Sequence, residues 1–208
     1  MEILILSKTK YGVTQACVGG ICIENKQFVR LLDSQGRYQS EDTSFEIGDI
    51  WNINFTQSLH RREPHVEDVI INNQAFVKKV DTMESFIKDL NVTIWENDIM
   101  NIFDGKMLWQ VNGKGYLSEN TKNYPTNSVG FWISDVDLIF SNGYYIYEKN
   151  GSSKPIVYKG SEAPIHIIPK GKLIRLSLAK WWKPDGSENE ERCYLQLSGW
   201  YSNKPESK

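Results

Sequence analysis

The stretch from Lys170 to Gly186 reads KGKLIRLSLAKWWKPDG, with five basic residues, no acid before Asp185 and two adjacent tryptophans. As a strand it puts Ile174, Leu176 and Leu178 on one face and Leu173, Arg175, Ser177, Ala179 and Trp181 on the other. The first face reads as core. The second is mixed, and on an open barrel face it is where a base would stack and a phosphate would pair. Stacking on an aromatic ring contributes about 1–3 kcal/mol per base whatever the overall charge. Arg175, Lys180 and Lys183, with Trp181 or Trp182, therefore form a candidate platform for single-stranded nucleic acid. The competing reading is that the two tryptophans straddle the end of a barrel and close its core, as large aromatics usually do.

The N-terminal half holds smaller constellations. Ser7 to Gly12, SKTKYG, presents Lys8, Lys10 and Tyr11 beside a glycine, which suits a phosphate-contacting loop but lacks the Walker spacing. Arg61 and Arg62 precede Pro64-His65-Val66-Glu67-Asp68, a second charged cluster that reads either as a nucleic-acid contact or as a solvated loop. Arg30, central in Phe28–Leu32, is expected to neutralise phosphates as Lys8 and Lys10 do, and His65 joins the nucleic-acid-binding set; if the protein were instead a small-molecule sensor with a pocket between two modules, Arg30 and His65 would meet its anionic ligand. Cys17 with His65 and Glu67 or Asp68 has the residue types of an activated cysteine nucleophile. Cys17 lies in the apolar run ACVGGICI, however, the usual setting of a buried inert thiol. Cys17 and Cys22 are separated by an odd interval along a strand, which points them to opposite faces and argues against a zinc site with His60 and His65. No cofactor or metal is expected.

The chain has 208 residues, 40% of them apolar and 24% charged, enough for one large or two small domains with a real core. A net charge of −2 excludes a uniformly basic nucleic-acid binder, so any polyanion site must be a local patch. Three cysteines without a CxxC argue against a disulfide framework and for a reducing, cytoplasmic compartment. The apolar run in MEILILSKTK is too short for a signal peptide, and no stretch approaches a membrane span.

These residues must be carried by a mainly β fold. Short runs rich in Val, Ile, Phe, Tyr and Trp predict strands at 3–6, 16–23, 27–32 and 49–57, the last with Trp51, Ile53 and Phe55 alternating against polar neighbours. Asp81-Thr82-Met83-Glu84 resembles a capping box before a helix with Met83, Phe86, Ile87 and Leu90 on one side. A second helix is predicted over 93–103, followed by a linker or loose hairpin to residue 127. Asn142-Gly143 and Asn150-Gly151 predict tight hairpins between 131–140, 144–147 and 155–158, and 192–201 closes the second module. The expected organisation is an N-terminal module over 1–80, a helical insert over 81–127, a second module over 128–203 and a mobile tail over 204–208. Phe28–Leu32 and Leu173–Ser177 echo each other, each an aliphatic strand centred on arginine.

The order of ILSKTKYG, ACVGGI, FVRLL, EIGDIW and PHVED, with KLIRLSLAKWW and YLQLSGWY later, resembles the bacterial dual OB-containing domain family. That resemblance implies two small OB-like β-barrels in tandem, a nucleic-acid-binding role and association with bacterial conflict or mobile-element systems. It departs in one place: GRYQSEDTSFEIGD is polar and aperiodic where a helix usually joins the third and fourth OB strands. The reading is of a binder of single-stranded DNA or RNA through basic and aromatic side chains of both modules, leaning away from an enzyme, with catalysis by Cys17 or His65 kept as a further reading. The alternatives are the ligand sensor and a protein–protein adaptor, since exposed aromatics also suit protein partners.

Overall fold

The computed structural model describes residues 1–186, 188 and 190–201. They divide into two compact units, residues 1–92 with Tyr201, and residues 93–200. The tail expected over 204–208 lies outside the described residues.

The first unit contains β1 (Glu2–Tyr11), β2 (Gln15–Cys22), β3 (Phe28–Leu32), the short β4 (Gln39–Ser40), β5 (Asp49–Gln57), β6 (Asp68–Lys79) and the helix α1 (Met83–Asp89). β1 pairs with both β2 and β5, and β2, β3, β6 and β5 follow one another, closing a five-stranded barrel. Only β3 and β6 run parallel. Period-two alternation builds the core: Ile3 and Ile5, Val18 and Cys22, Val29 and Leu31, Ile53, and Val69 meet inside around Phe45. β1 continues past its apolar half, so Ser7–Tyr11 is strand paired with β2 rather than the loop expected from SKTKYG. In α1, Ile87 and Leu90 are buried as their spacing predicts. Thr82 does not cap it by side chain; its hydroxyl meets that of Ser85 at 2.6 Å.

The second unit begins with β7 (Ile94–Asn97) and a 3-10 segment (Ile99–Gly105), where one helix over 93–103 was expected. Trp95 pairs alongside Trp132 in a parallel ladder, and non-helical backbone at Ile102–Asp104 breaks the remainder. The apolar spacing is satisfied all the same, since Ile99, Ile102 and Phe103 are buried. Next come β8 (Leu108–Trp109), β9 (Gly115–Ser118), β10 (Val129–Ser134), β11 (Leu138–Ser141), β12 (Tyr144–Lys149), β13 (Ser152–Tyr158), β14 (Ile167–Ile168), β15 (Leu173–Leu178) and β16 (Arg192–Tyr201). Of the stretch read as a helical insert, α1 is thus grouped with the first unit and β7 to β9 with the second.

β10 pairs with β15 and β11 with β12, so the two are halves of one first strand interrupted at residues 135–137. The break is stapled. Lys149 Nζ donates to Asp135 Oδ2 at 2.6 Å and to Asp98 Oδ2 at 3.0 Å, and Tyr147 Oη donates to Asp135 at 3.1 Å. With that strand counted once, the order β10/β11, β12, β13, β16, β15 repeats the first barrel, and its one parallel contact within that order, β13 with β16, is the same. This is OB topology twice. Asn142-Gly143 and Asn150-Gly151 each place both residues at positive φ, the conformation that tight two-residue hairpins require. Neither barrel has a helix between its third and fourth strands; residues 33–48 and 159–172 cross there with only β4 and β14.

At Gly20 a Cβ would stand 2.6 Å from Ile3 Cγ2 and 2.9 Å from the Leu4 carbonyl oxygen. The oxygen belongs to a paired strand and cannot turn aside. Gly20→Ala is expected to cost about 1–3 kcal/mol, as overpacked cores do, measured as a lower urea midpoint for the first barrel's transition.

Candidate functional site

OB barrels bind oligonucleotides with the outer face of strands 2 and 3 and with the loops joining strands 1–2 and 4–5. In the first unit these are β2 and β3 with the loops 12–14 and 58–67. The outward positions of β2 and β3 are set by the core: Val29 and Leu31 point in, so Arg30 points out. It lies in register with Gly19 on one side and Asp68 on the other. Arg30 Nη1 donates to Asp68 Oδ1 at 2.7 Å, and each side chain is only 10% exposed. Burial works against the Arg30 charge, but Cys17, Asp68 and Glu67 outweigh it and hold the guanidinium above its ordinary pKa. Burial pushes the Tyr38 hydroxyl up to about 12, with Arg30 pulling the other way. Tyr11 lies against Tyr38, ring centroids 4.0 Å apart.

The loop over 58–67 is tied to the barrel at both ends. Ser58 N–H donates to the Asp68 carbonyl and Arg30 N–H to the Glu67 carbonyl. Inside it the Glu63–Pro64 bond is cis, and His65 is 1% exposed, its N–H donating to the Arg62 carbonyl. Arg61 and Arg62 stand exposed on the rim, Arg61 donating to Gln57 Oε1 at 3.2 Å. Lys8 is held by Glu46 at 2.8 Å and by the Thr43 carbonyl, while Lys10 meets Glu41 at 3.4 Å with both side chains largely solvated. Of the first-unit candidates, then, Lys10, Tyr11, Arg61 and Arg62 face solvent, and Arg30 and His65 are internal supports. Cys17 is half-buried, whereas Cys22 lies in the core.

In the second unit the loop joining strands 4 and 5 spans 179–191 and carries the tryptophan pair. Trp181 packs against the barrel core and lies edge-on to Tyr124 at 5.3 Å. Trp182 is 55% exposed, and Lys180 and Lys183 are exposed beside it. One ring of the pair is therefore turned to the core and the other to solvent. Arg175 is a correction: it is 5% exposed and donates to Ser198 Oγ at 2.8 Å. Leu173 on the same face is as buried as core-facing Ile174, so this face of β15 is covered and Arg175 offers no open surface. Nor is it the counterpart of Arg30, which sits on a third strand whereas Arg175 sits on a fourth.

Four residues outside the expected set, Arg192, Tyr116, Tyr194 and Glu190, complete this end. Trp182 and Arg192 exchange backbone hydrogen bonds at 3.1 and 2.9 Å, closing the loop at its base. The Arg192 guanidinium lies 4.3 Å from the centroid of Tyr116, and Nε donates to Glu190 Oε1 at 3.0 Å. Tyr194 stands between Trp182 at 6.4 Å and Tyr116 at 6.1 Å. Glu190 also accepts from Ser118 Oγ and from Asn120 Nδ2. The Ser118 hydroxyl, together with Arg192 and Asn120, holds its carboxyl below the ordinary range against a smaller opposing effect of burial. A signal for Arg192 and Tyr194 existed in the sequence. RCYLQL alternates, and with Cys193, Leu195 and Leu197 inside, the residues between them must face out.

Two OB barrels in succession define a tandem OB protein. The chain belongs to the dual OB-containing domain family, which it matches over residues 1–200. Among curated proteins, none matches. A solved structure described as a murine DNA binding protein bound with ds DNA is similar at 12% identity, covering 95% of this chain and 92% of that one, with a TM-score of 0.30. A likeness of that size carries no argument about this chain. Among the described residues, no helix is long and apolar enough to cross a membrane.

Removing Arg30 alone would take the guanidinium from a buried carboxylate. Arg30→Ala is expected to destabilise the first barrel by about 3–5 kcal/mol, and Arg30→Met with Asp68→Leu by far less, in urea titrations of the single and double variants. Glu190 sets an acid limb in the second unit. Its folded pKa lies below the ordinary value of 4.5, so its contribution is complete above that pH and is lost as pH falls through the lower, folded value. Thermal melts from pH 6 to pH 3 are expected to show a shallower loss for Glu190→Gln than for the parent.

Proposed function

We propose that the protein binds single-stranded nucleic acid, DNA or RNA, at the strand 4–5 loops of its barrels. The observation that carries this is where the exposed cations and aromatics lie: Arg61 and Arg62 on that loop of the first barrel, Lys180, Trp182 and Lys183 on that loop of the second. Lys10 and Tyr11 add to it at the end of β1, beside the strand 1–2 loop of the first barrel. In this reading Lys180 and Lys183 neutralise phosphates, Trp182 stacks a base, and Arg30, His65 and Arg175 hold the barrels that present them. Lys8, paired with Glu46, contributes less than Lys10. Every base has a π-face, so such a surface is tolerant of sequence, and a net charge of −2 does not oppose a local patch. A role in a bacterial conflict or mobile-element system in the cytoplasm accompanies this reading, in keeping with three free thiols.

The test is fluorescence anisotropy with labelled oligo(dT) and oligo(rU) of about 15 nucleotides, within the range one or two OB folds occupy, against duplex DNA. Binding to single strands that weakens by about 0.7 log units per neutralised phosphate for each tenfold rise in salt is expected. Trp182→Ala with Lys183→Ala should weaken it by about 5- to 150-fold, the equivalent of one stacked base. Absence of single-strand binding at low salt, or a preference for the duplex, overturns the proposal.

A further inference from the structure

The second barrel's outer surface is uneven in chemistry. Residues 105–127, which the sequence presents as a linker, form the hairpin β8–β9, and β9 pairs with the first part of β16 while β13 pairs with a later part. The hairpin therefore widens the barrel beside the strand 4–5 loop, and Tyr116 is set next to Tyr194. Three cation–aromatic contacts converge on it: Arg192 over Tyr116 at 4.3 Å, Lys154 over Trp109 at 4.4 Å, and Lys114 over Tyr144 at 5.4 Å. Across the middle of strands 2 and 3, by contrast, the outward residues Ile146, Glu148, Ser153 and Val157 offer neither a ring nor a cation, and the ring of Tyr144, at the start of strand 2, lies under Lys114 of the hairpin.

Resting on the function proposed above, we infer that in the second barrel the nucleic-acid strand leaves Trp182 along β16 and the β8–β9 hairpin, over Tyr194, Tyr116 and Arg192, instead of across the face of strands 2 and 3 that OB folds ordinarily use. Arg192 is the central contact. Its plane lies on Tyr116 on one side, and Glu190 orients it; Glu190 is itself held by Ser118 and Asn120. A guanidinium held this way gives a base a flat cationic surface without having to be ordered on binding, and arginine planes and aromatic rings are alternative seats for unstacked bases. Glu190 is taken up by these partners, and Glu119 accepts from the Glu191 N–H at 2.8 Å. The rings Trp182, Tyr194 and Tyr116 follow at 6.4 and 6.1 Å, a row on which successive bases can sit.

The experiment is photocrosslinking of the full chain to an oligonucleotide carrying 5-iodouracil, with the modified peptides identified by mass spectrometry, alongside anisotropy of three variants checked for folding by circular dichroism. Adducts on peptides containing Tyr116, Tyr194 or Trp182 are expected. Tyr116→Ala with Tyr194→Ala should weaken binding by about 5- to 150-fold. Arg192→Lys, which keeps the charge and loses the plane, should weaken it by about fivefold. Ile146→Ala with Val157→Ala, on the face of strands 2 and 3, should bind as the parent does. Adducts confined to residues 144–158, or parental binding by the double tyrosine variant, overturn the path while leaving single-strand binding intact. A parent chain that binds no oligonucleotide overturns both.

Discussion

The parallel contact between the third and fifth strands is the constraint from which each barrel follows. It joins Arg30–Leu32 to Asp68–Ile70 in one unit and Val157–Tyr158 to Gln196–Leu197 in the other. Parallel ladders are slightly weaker per residue than antiparallel ones, and these are short. Yet each must hold, because without it the sheet opens and the strand 4–5 loop loses its seat beside strand 3. The two barrels reinforce the seam differently. The first places a buried ion pair across it, Arg30 to Asp68, on residues already in register. The second lengthens the fifth strand's pairing by adding β9 alongside, and it locks the loop's return at Arg192 with Glu190.

This difference explains why three strand arginines have such unlike fates. Arg30, Arg175 and Arg192 all lie on strands, with period-two neighbours that would suit an outward side chain. Arg30 is covered because the loop over 58–67 is anchored on both sides of it, through Ser58 and Glu67. Arg175 is covered because both faces of β15 are, and its partner Ser198 lies on the neighbouring β16. Arg192 alone reaches a surface, since it sits at the mouth of a loop. A charge in a strand shows that the position faces away from the core; whether solvent or protein lies beyond is decided by segments distant in sequence, Asp68 for Arg30 and Ser198 for Arg175.

The same distinction divides what was legible in the chain from what was not. Strand alternation in β5, the two Asn-Gly hairpins, the extent of β16 and the tandem barrel architecture could all be read, because each rests on local periodicity, turn chemistry or motif order. The polar half of β1, and β6 with its run Asn72-Asn73-Gln74, could not, since only pairing with β2 and β5 makes strands of them. Residues 93–103 misled for the opposite reason. Ile99, Ile102 and Phe103 have helical spacing and are buried, but the ladder from Trp95 to Trp132 outcompetes a first helical turn. At the site, Trp181 and Trp182 were recognisable as a pair, and adjacency on an extended chain requires opposite directions, so one was bound to be core.

What the sequence could not convey is that the second barrel's chemistry gathers around its fifth strand. Tyr116 and Tyr194 are 78 positions apart, counting from 116 to 194, and become neighbours only because β9 adds to β16. The glycine at 115 permits that addition: a Cβ there would lie 2.9 Å from the Trp109 ring, and Trp109 in turn packs against the core. The hairpin is therefore held to the barrel by its inward tryptophan while its outward tyrosine meets Arg192. Period-two alternation thus does both jobs with consecutive residues: Leu117 and Cys193 close the core, and Tyr116 and Arg192 build the surface over it. The surface is built on strand residues whose neighbours are in the core, and preorganisation of that kind lets a modest set of rings and one oriented guanidinium bind a flexible strand at a smaller ordering cost.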